Sequence, residues 1–303
     1  MYHRDCLSSL PDEVLVTILH RGETPLRKLS LVFSGSDECT DAVNSAIASA
    51  VEKGVKHIDV AVVDHTKYEF PSCFKGFSAL TKLVLVAMHM SLKDTQLLLR
   101  NCKSLKSLYL IDMFDIRFIQ LPKLEELVWL WSVPCGLFKI DTPALQRLEY
   151  CGELLPASTF QSLPCLEHVS LQYVRYLSFL ESRNGVVWDG TNFQHNSLKE
   201  VEMYNFKGRD NEIGFARLIL RRAPNLKRIA FSQARLYEAE DHQCIPPGWP
   251  GAEEFCARDN QSVLSKLLDA ISSGARVSFM QFMRYIGLHF ATHTHPDAIW
   301  HGM

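Results

Sequence analysis

The chain has almost no excess of charge: 32 lysines and arginines stand against 34 acidic residues among 303, a formal net charge of −2. Nucleic acid and acidic membranes select a concentrated basic surface, so neither is expected as a partner. No stretch approaches the roughly 20 apolar residues that a membrane-spanning helix needs. Gly185 and Gly190 flank Val186–Asp189 without a glycine pattern that cradles phosphate. The pairs Asp64–His65 and Asp241–His242 have no nucleophile context around them. Nine cysteines are scattered without metal-ligand spacing, and Cys102, Cys135, Cys151 and Cys165 fall where a small buried side chain fits. His289, His293, His295 and His301 match no strong zinc spacing. The opening MYHRDCLSSLPDEV lacks the apolar core of a signal peptide, and with unpaired cysteines this implies a reducing intracellular site, cytoplasm or nucleus. These absences predict a protein that is not an enzyme and takes no metal or cofactor.

What the chain does contain is a repeat. The pattern L-x-x-L-x-L occurs as LRKLSL from Leu26, LTKLVL from Leu80, LKSLYL from Leu105 and LQRLEY from Leu145. Looser copies begin at Val55, Leu124, Leu166, Leu198 and Leu226. Most successive starts fall within or near the period of leucine-rich repeats, roughly 20–29 residues. The two-residue alternation inside each copy is that of a short strand. The fold class predicted is therefore α/β, a leucine-rich-repeat solenoid of nine short parallel strands. Leu83, Leu108, Leu127, Leu148 and Leu171 are expected in one stacked core. A solenoid of this kind is mostly extended surface, which favours protein recognition over catalysis.

Return segments are predicted from their own patterns. Residues 40–53 read as a helix capped by Thr40, with Val43, Ile47, Ala50 and Val51 on one face and Gly54 as the stop. Further helices are expected at 91–100, at 211–222 with Asp210 as cap, and at 261–271. Pro122, Pro143 and Pro164 precede three strands and are expected to fix an extended approach. The segment at 244–251, CIPPGWPG, reads as a rigid loop outside the repeat, and FMQFMRYIGLHF at 279–290 as an apolar cover for the last repeat or a partner contact.

Alternation also selects an open face. Its predicted positions include Lys82, Val84, Tyr109, Ile111, Glu126, Val128, Arg147, Glu149, His168, Gln172, Glu200, Glu202, Tyr204 and Arg228. Among these, Tyr109, Arg147, Glu149, His168, Tyr204 and Arg228 are the candidates for binding a protein target, with the two tyrosines as preferred anchors.

Two further segments carry a family resemblance. LSSLPDEVLVTIL at 7–19 resembles the opening helix of a plant F-box, and HNSLKEVEMYNFKGRDNEIGFARLILRRAPNLKRIAF at 195–231 resembles the FBD module that follows leucine-rich repeats in plant F-box proteins. The resemblance divides the chain into a partial F-box-like helix at 7–20, a repeat array at 26–194, an FBD-like region continuing the solenoid at 195–280 and a tail at 281–303. It implies an adaptor: the F-box docks on the linker subunit of a cullin-type ubiquitin ligase, and the repeats hold the target. Leu10, Pro11, Leu15 and Ile18 are then the docking candidates. The body of the F-box is missing, however, because Leu19 is followed by His20–Pro25 and then directly by the strand-like LRKLSLVF. One helix of about eight residues is unstable alone in water, so docking is expected to be weak or absent. The alternative is a ligase-independent repeat scaffold, or a truncated, non-functional relative.

Overall fold

The computed structural model describes residues 27–33, 37–62, 75–88, 90–113, 116, 118–130, 139–152, 160, 162–173, 194–232, 257–268 and 274–280. They fall into two compact units, one built around residues up to 124 and the other around 125–130 and 139–286. Leu10, Pro11, Leu15, Ile18, Cys135, the loop at 244–251 and the tail from 281 lie outside the described residues.

The first unit contains β1 (Lys28–Phe33), α1 (Asp37–Glu52), β2 (His57–Val62), a 3-10 turn at Lys75–Ala79, β3 (Lys82–Val86), α2 (Leu92–Asn101), β4 (Ser107–Ile111) and β5 (Phe118–Gln120). Strands β1, β2, β3 and β4 pair in parallel in that order. Register stacks Leu29, Ile58, Leu83 and Leu108 in one inward row and Leu31, Val60, Leu85 and Leu110 in the next. All eight side chains are buried. Each row turns a two-residue sequence period into a continuous apolar column, the driving force for stacking.

The second unit contains β6 (Glu126–Leu130), β7 (Lys139–Asp141), β8 (Arg147–Gly152), β9 (His168–Tyr173), β10 (Glu200–Tyr204), α3 (Asp210–Arg222), β11 (Arg228–Ser232), α4 (Ala257–Leu268) and β12 (Arg276–Met280). Strands β6, β8, β9, β10, β11 and β12 are parallel neighbours in that order. One inward row is Leu127, Leu148, Val169, Val201, Ile229 and Val277. The other is Trp129, Tyr150, Leu171, Met203, Phe231 and Phe279, with Trp129 edge-on to Tyr150 at 5.8 Å and Phe231 against Phe279 at 5.7 Å. Leu171 therefore stacks on Tyr150 and not on Leu148, whose neighbour is Val169. Helix α3 buries Phe215, Ala216 and Ile219, and the Phe215 ring meets Phe160 at 5.7 Å.

All nine expected copies begin strands, each two residues after the first apolar position. Among the described residues β12 is an additional parallel strand, and β5 and β7 are three-residue strands outside the repeat rule. The alternation Arg276, Val277, Ser278, Phe279 after Gly274 is the signal for it, and its last two residues, Phe279 and Met280, belong to this strand and not to an apolar cover over the last repeat.

The strands begin in a recurring way. A tight turn closes with the bonds from Leu124 N–H to Leu121 O, Leu145 to Thr142, Leu166 to Leu163 and Leu226 to Ala223, at 3.0–3.2 Å. Pro122, Pro143, Pro164 and Pro224 each occupy the second position of these turns, where the backbone needs the φ that a proline ring fixes. They shape turns, then, and not the extended approach expected of the first three. After the turn, a single carbonyl accepts two N–H groups of the following repeat: Glu125 O from Gln146 and Arg147, Gln146 O from Glu167 and His168, and Lys199 O from Lys227 and Arg228. Arg27, Lys56, Thr81 and Glu167 do the same.

Helix beginnings differ from expectation. α1 starts at Asp37, so Thr40 lies within it and is not its cap; Gly54, at φ +75°, ends the segment as predicted. α3 has Arg209 at its cap position and Asp210 as its first helical residue. The missing cap is supplied by Glu212, whose Oε2 accepts the N–H groups of Lys207 at 2.9 Å and Arg209 at 3.0 Å.

Candidate protein-interaction surface

The open faces follow from the same alternation that built the core. In the first unit the outermost row is Lys28, His57, Lys82 and Ser107, and the next is Ser30, Asp59, Val84 and Tyr109. Asp59 is buried but held between two basic side chains: Lys28 Nζ at 2.8 Å, and the His57 ring, which contacts its other oxygen. Burial lowers the His57 pKa, against the pull of Asp59, which raises it. Lys82 Nζ sits 4.3 Å from the centroid of the half-buried Tyr109 ring.

In the second unit the outermost row is Glu126, Arg147, His168, Glu200, Arg228 and Arg276, and the next is Val128, Glu149, Ser170, Glu202, Ala230 and Ser278. Arg147 Nε donates to Glu149 at 2.9 Å and also lies 3.9 Å from Glu126. Arg228 donates to Glu202 at 3.0 Å, and Glu202 also accepts the hydroxyl of Tyr204 at 3.0 Å and of Ser170 at 3.3 Å. His168 Nδ1 lies 3.5 Å from Glu200.

This geometry corrects part of the expected surface. Tyr204 is only 1% exposed, because its phenol lies along the sheet to reach Glu202, and it is not an accessible anchor. Glu149 is 3% exposed beneath Arg147. Val84, Ile111, Val128, Gln172 and Glu202 are buried too. They alternate outward, but short or folded-down side chains are covered by longer neighbours one strand or two residues away. A buried carboxylate is tolerated only when paired and hydrogen-bonded, which is the arrangement here. Glu149, Glu202 and Tyr204 are thus groups that hold Arg147 and Arg228 upright. Tyr109, Arg147, His168 and Arg228 remain accessible in part. Sequence reasoning missed Lys28, His57 and Asp59 and the whole contribution of β12; the acid two residues after a basic or histidine side chain, as in His57–Asp59 and Arg147–Glu149, was the available signal.

Among the described residues the face carries no arrangement of reacting groups. Among the described residues no cluster of three histidines, cysteines or acids is placed to hold a metal, and no helix is long and apolar enough to cross a membrane. Cys102 and Cys151 are buried and in no disulfide, and burial pushes the Cys102 thiol up to about 12. Cys165, expected inside, is exposed on the turn before β9.

Comparison with known families matches residues 24–197 to the leucine-rich repeats of the FBD-associated F-box protein At5g56370 and residues 195–231 to FBD. Comparison with curated proteins gives no match.

Proposed function

Because the chain belongs to the F-box/leucine-rich-repeat/FBD family of plant proteins, whose members generally work through protein interaction, we propose that it is a target-recognition adaptor related to cullin-type ubiquitin ligases. The observation that carries the recognition half is the charged open face. Arg147 and Arg228 are half-exposed, yet each is fixed by a buried carboxylate beneath it. A side chain already ordered in this way loses less conformational entropy on binding than a free arginine. Tyr109, Arg147, His168 and Arg228 are the contacts proposed for the target. Capture of a specific partner should be lost on replacing Tyr109 and Arg147 with Ala; capture unchanged by both would remove this surface from the reading.

The ligase half concerns Leu10, Pro11, Leu15 and Ile18. A stable interface commonly buries about 800 Å² per partner, more than one short helix offers. Purified protein should therefore bind the linker subunit weakly or not at all. Tight binding abolished by replacing Leu10, Leu15 and Ile18 would establish a competent dock instead. A second reading, a ligase-independent repeat scaffold, is favoured by one specific observation: only positions 20–27 separate Leu19 from the first strand, too few for further F-box helices. Partner capture by a chain that ignores the linker subunit is the outcome that selects it.

A further inference from the structure

Most charge on the open face of the second unit is matched locally. Arg147 is shared by Glu126 and Glu149, His168 faces Glu200, and Arg228 is held by Glu202. Among the described charged residues of that outermost row, Arg276 alone has a side chain without ion pair, hydrogen bond or ring contact, and it is exposed. Register sets it directly opposite Arg228 on the neighbouring strand. Adjacent strands are about 4.8 Å apart, and like charges directly opposite at that spacing repel. One row further along the same face, opposite Ala230, Ser278 has a buried hydroxyl without a hydrogen-bond partner. A buried polar group left unpaired is an uncommon and unfavourable arrangement. Surplus positive charge, the unpaired guanidinium of Arg276 and an unmet hydroxyl therefore meet at one end of the face.

We propose that Arg228 and Arg276 form a carboxylate-binding subsite at the β11–β12 end of the open face, taking an aspartate or glutamate side chain of the recognised protein. The assignment rests on the open face being the recognition surface and adds the chemistry of what it recognises. Glu202 already neutralises Arg228, so the pair carries one net positive charge, which a monoanionic carboxylate balances. A phosphate dianion would overcompensate it and lie against Glu202. Arg276 offers the planar fork that matches a carboxylate with two parallel bonds, and Arg228 adds its positive charge from the neighbouring strand. Relief of the Arg228–Arg276 repulsion adds to the attraction.

The test is a titration of the full chain with tetraglutamate and with tetraglutamine at matched ionic strength, read from the arginine side-chain Nε–H resonances. Tetraglutamate should shift the Arg228 and Arg276 signals saturably, and tetraglutamine should not. Arg276→Ala should weaken the interaction about tenfold or more, the loss of one charge-assisted pair of bonds, and Arg276→Lys should restore part of it. Because Arg276 is exposed, far-UV circular dichroism should be unchanged in both variants; Arg276→Gln serves in place of Ala if it is not. Equal shifts with both peptides, no saturation, or a titration unaltered by Arg276→Ala would overturn the subsite. Tighter binding of a phosphoserine peptide than of a glutamate peptide of equal charge would overturn its assignment to carboxylate. A protein that captures its partner through Tyr109 and Arg147 but ignores tetraglutamate would keep the recognition reading and lose this one alone.

Discussion

Ala87, Asp112 and Asn205 follow the last residues of β3, β4 and β10 and share one backbone conformation, with φ of 54°, 52° and 52°. Aspartate and asparagine visit this left-handed region readily, whereas alanine bears a steric cost there. Ala87→Gly should therefore stabilise the protein by up to about 1 kcal/mol, the reverse of the usual effect of glycine, measurable as a raised urea midpoint. Leu108, fully buried between Leu83 and its repeat's own core, should respond oppositely: Leu108→Ala should cost about 2–5 kcal/mol. Arg228→Met should cost about 1–3 kcal/mol although its side chain is 35% exposed, because it strips Glu202 of a partner. The double change with Glu202→Gln should recover part of that loss. The inward residues were legible from spacing alone. Tyr204 was not, since alternation fixes which side of a sheet a residue leaves from but says nothing of whether the side chain then folds down onto a neighbour.

At the scale of elements, the strands were readable because a parallel stack repeats one physical demand, an apolar residue at the first, fourth and sixth places. Helix ends were less so. The N-terminus of α3 is held by Glu212, which reaches Lys207 and Arg209 from inside the helix, whereas the local pattern at its start points to Asp210. Burial raises the Glu212 pKa while the Lys207 and Arg209 N–H groups lower it, and the balance is upward. Glu212→Ala would leave those two N–H groups without their acceptor and should destabilise by about 1–3 kcal/mol. Glu212→Gln, which keeps an acceptor oxygen and removes the buried charge, should cost less, and chemical denaturation of the two variants side by side checks the ranking. The turns at Pro122, Pro143 and Pro164 show a different limit of reading: proline fixes φ whether the chain is extended or turning, and only the bond back from the residue two places later distinguishes them.

At the scale of the whole molecule, the FBD-like region is joined to the repeat before it through His195. Its backbone N–H donates to Arg222 O at 2.7 Å and its Nε2 lies 2.8 Å from Leu163 O, while Nδ1 is buried without a partner. The ring is thus held as the neutral Nε2–H tautomer, and burial lowers its pKa below the usual 6.5 despite the Leu163 carbonyl. The unfolded chain binds the proton first, so the contribution of His195 is fully present above pH 6.5 and is lost as pH falls through the lowered value. Urea midpoints at pH 7.5 and pH 5.5 should differ less in His195→Asn than in the parent protein; an unchanged difference would assign the acid sensitivity elsewhere. The carbonyls that each clasp two N–H groups of the following repeat have a wider consequence. The steps from Leu145 to Leu166, on to Leu198 and on to Leu226 are plainly unequal, yet Gln146, Glu167 and Lys199 clasp their neighbours alike. Spacing along the chain is thereby decoupled from what the face displays. Insertions and deletions between strands can then change the lengths of the connections without shuffling the order of residues that the face presents, so such a gene can vary its lengths and its face as separate traits.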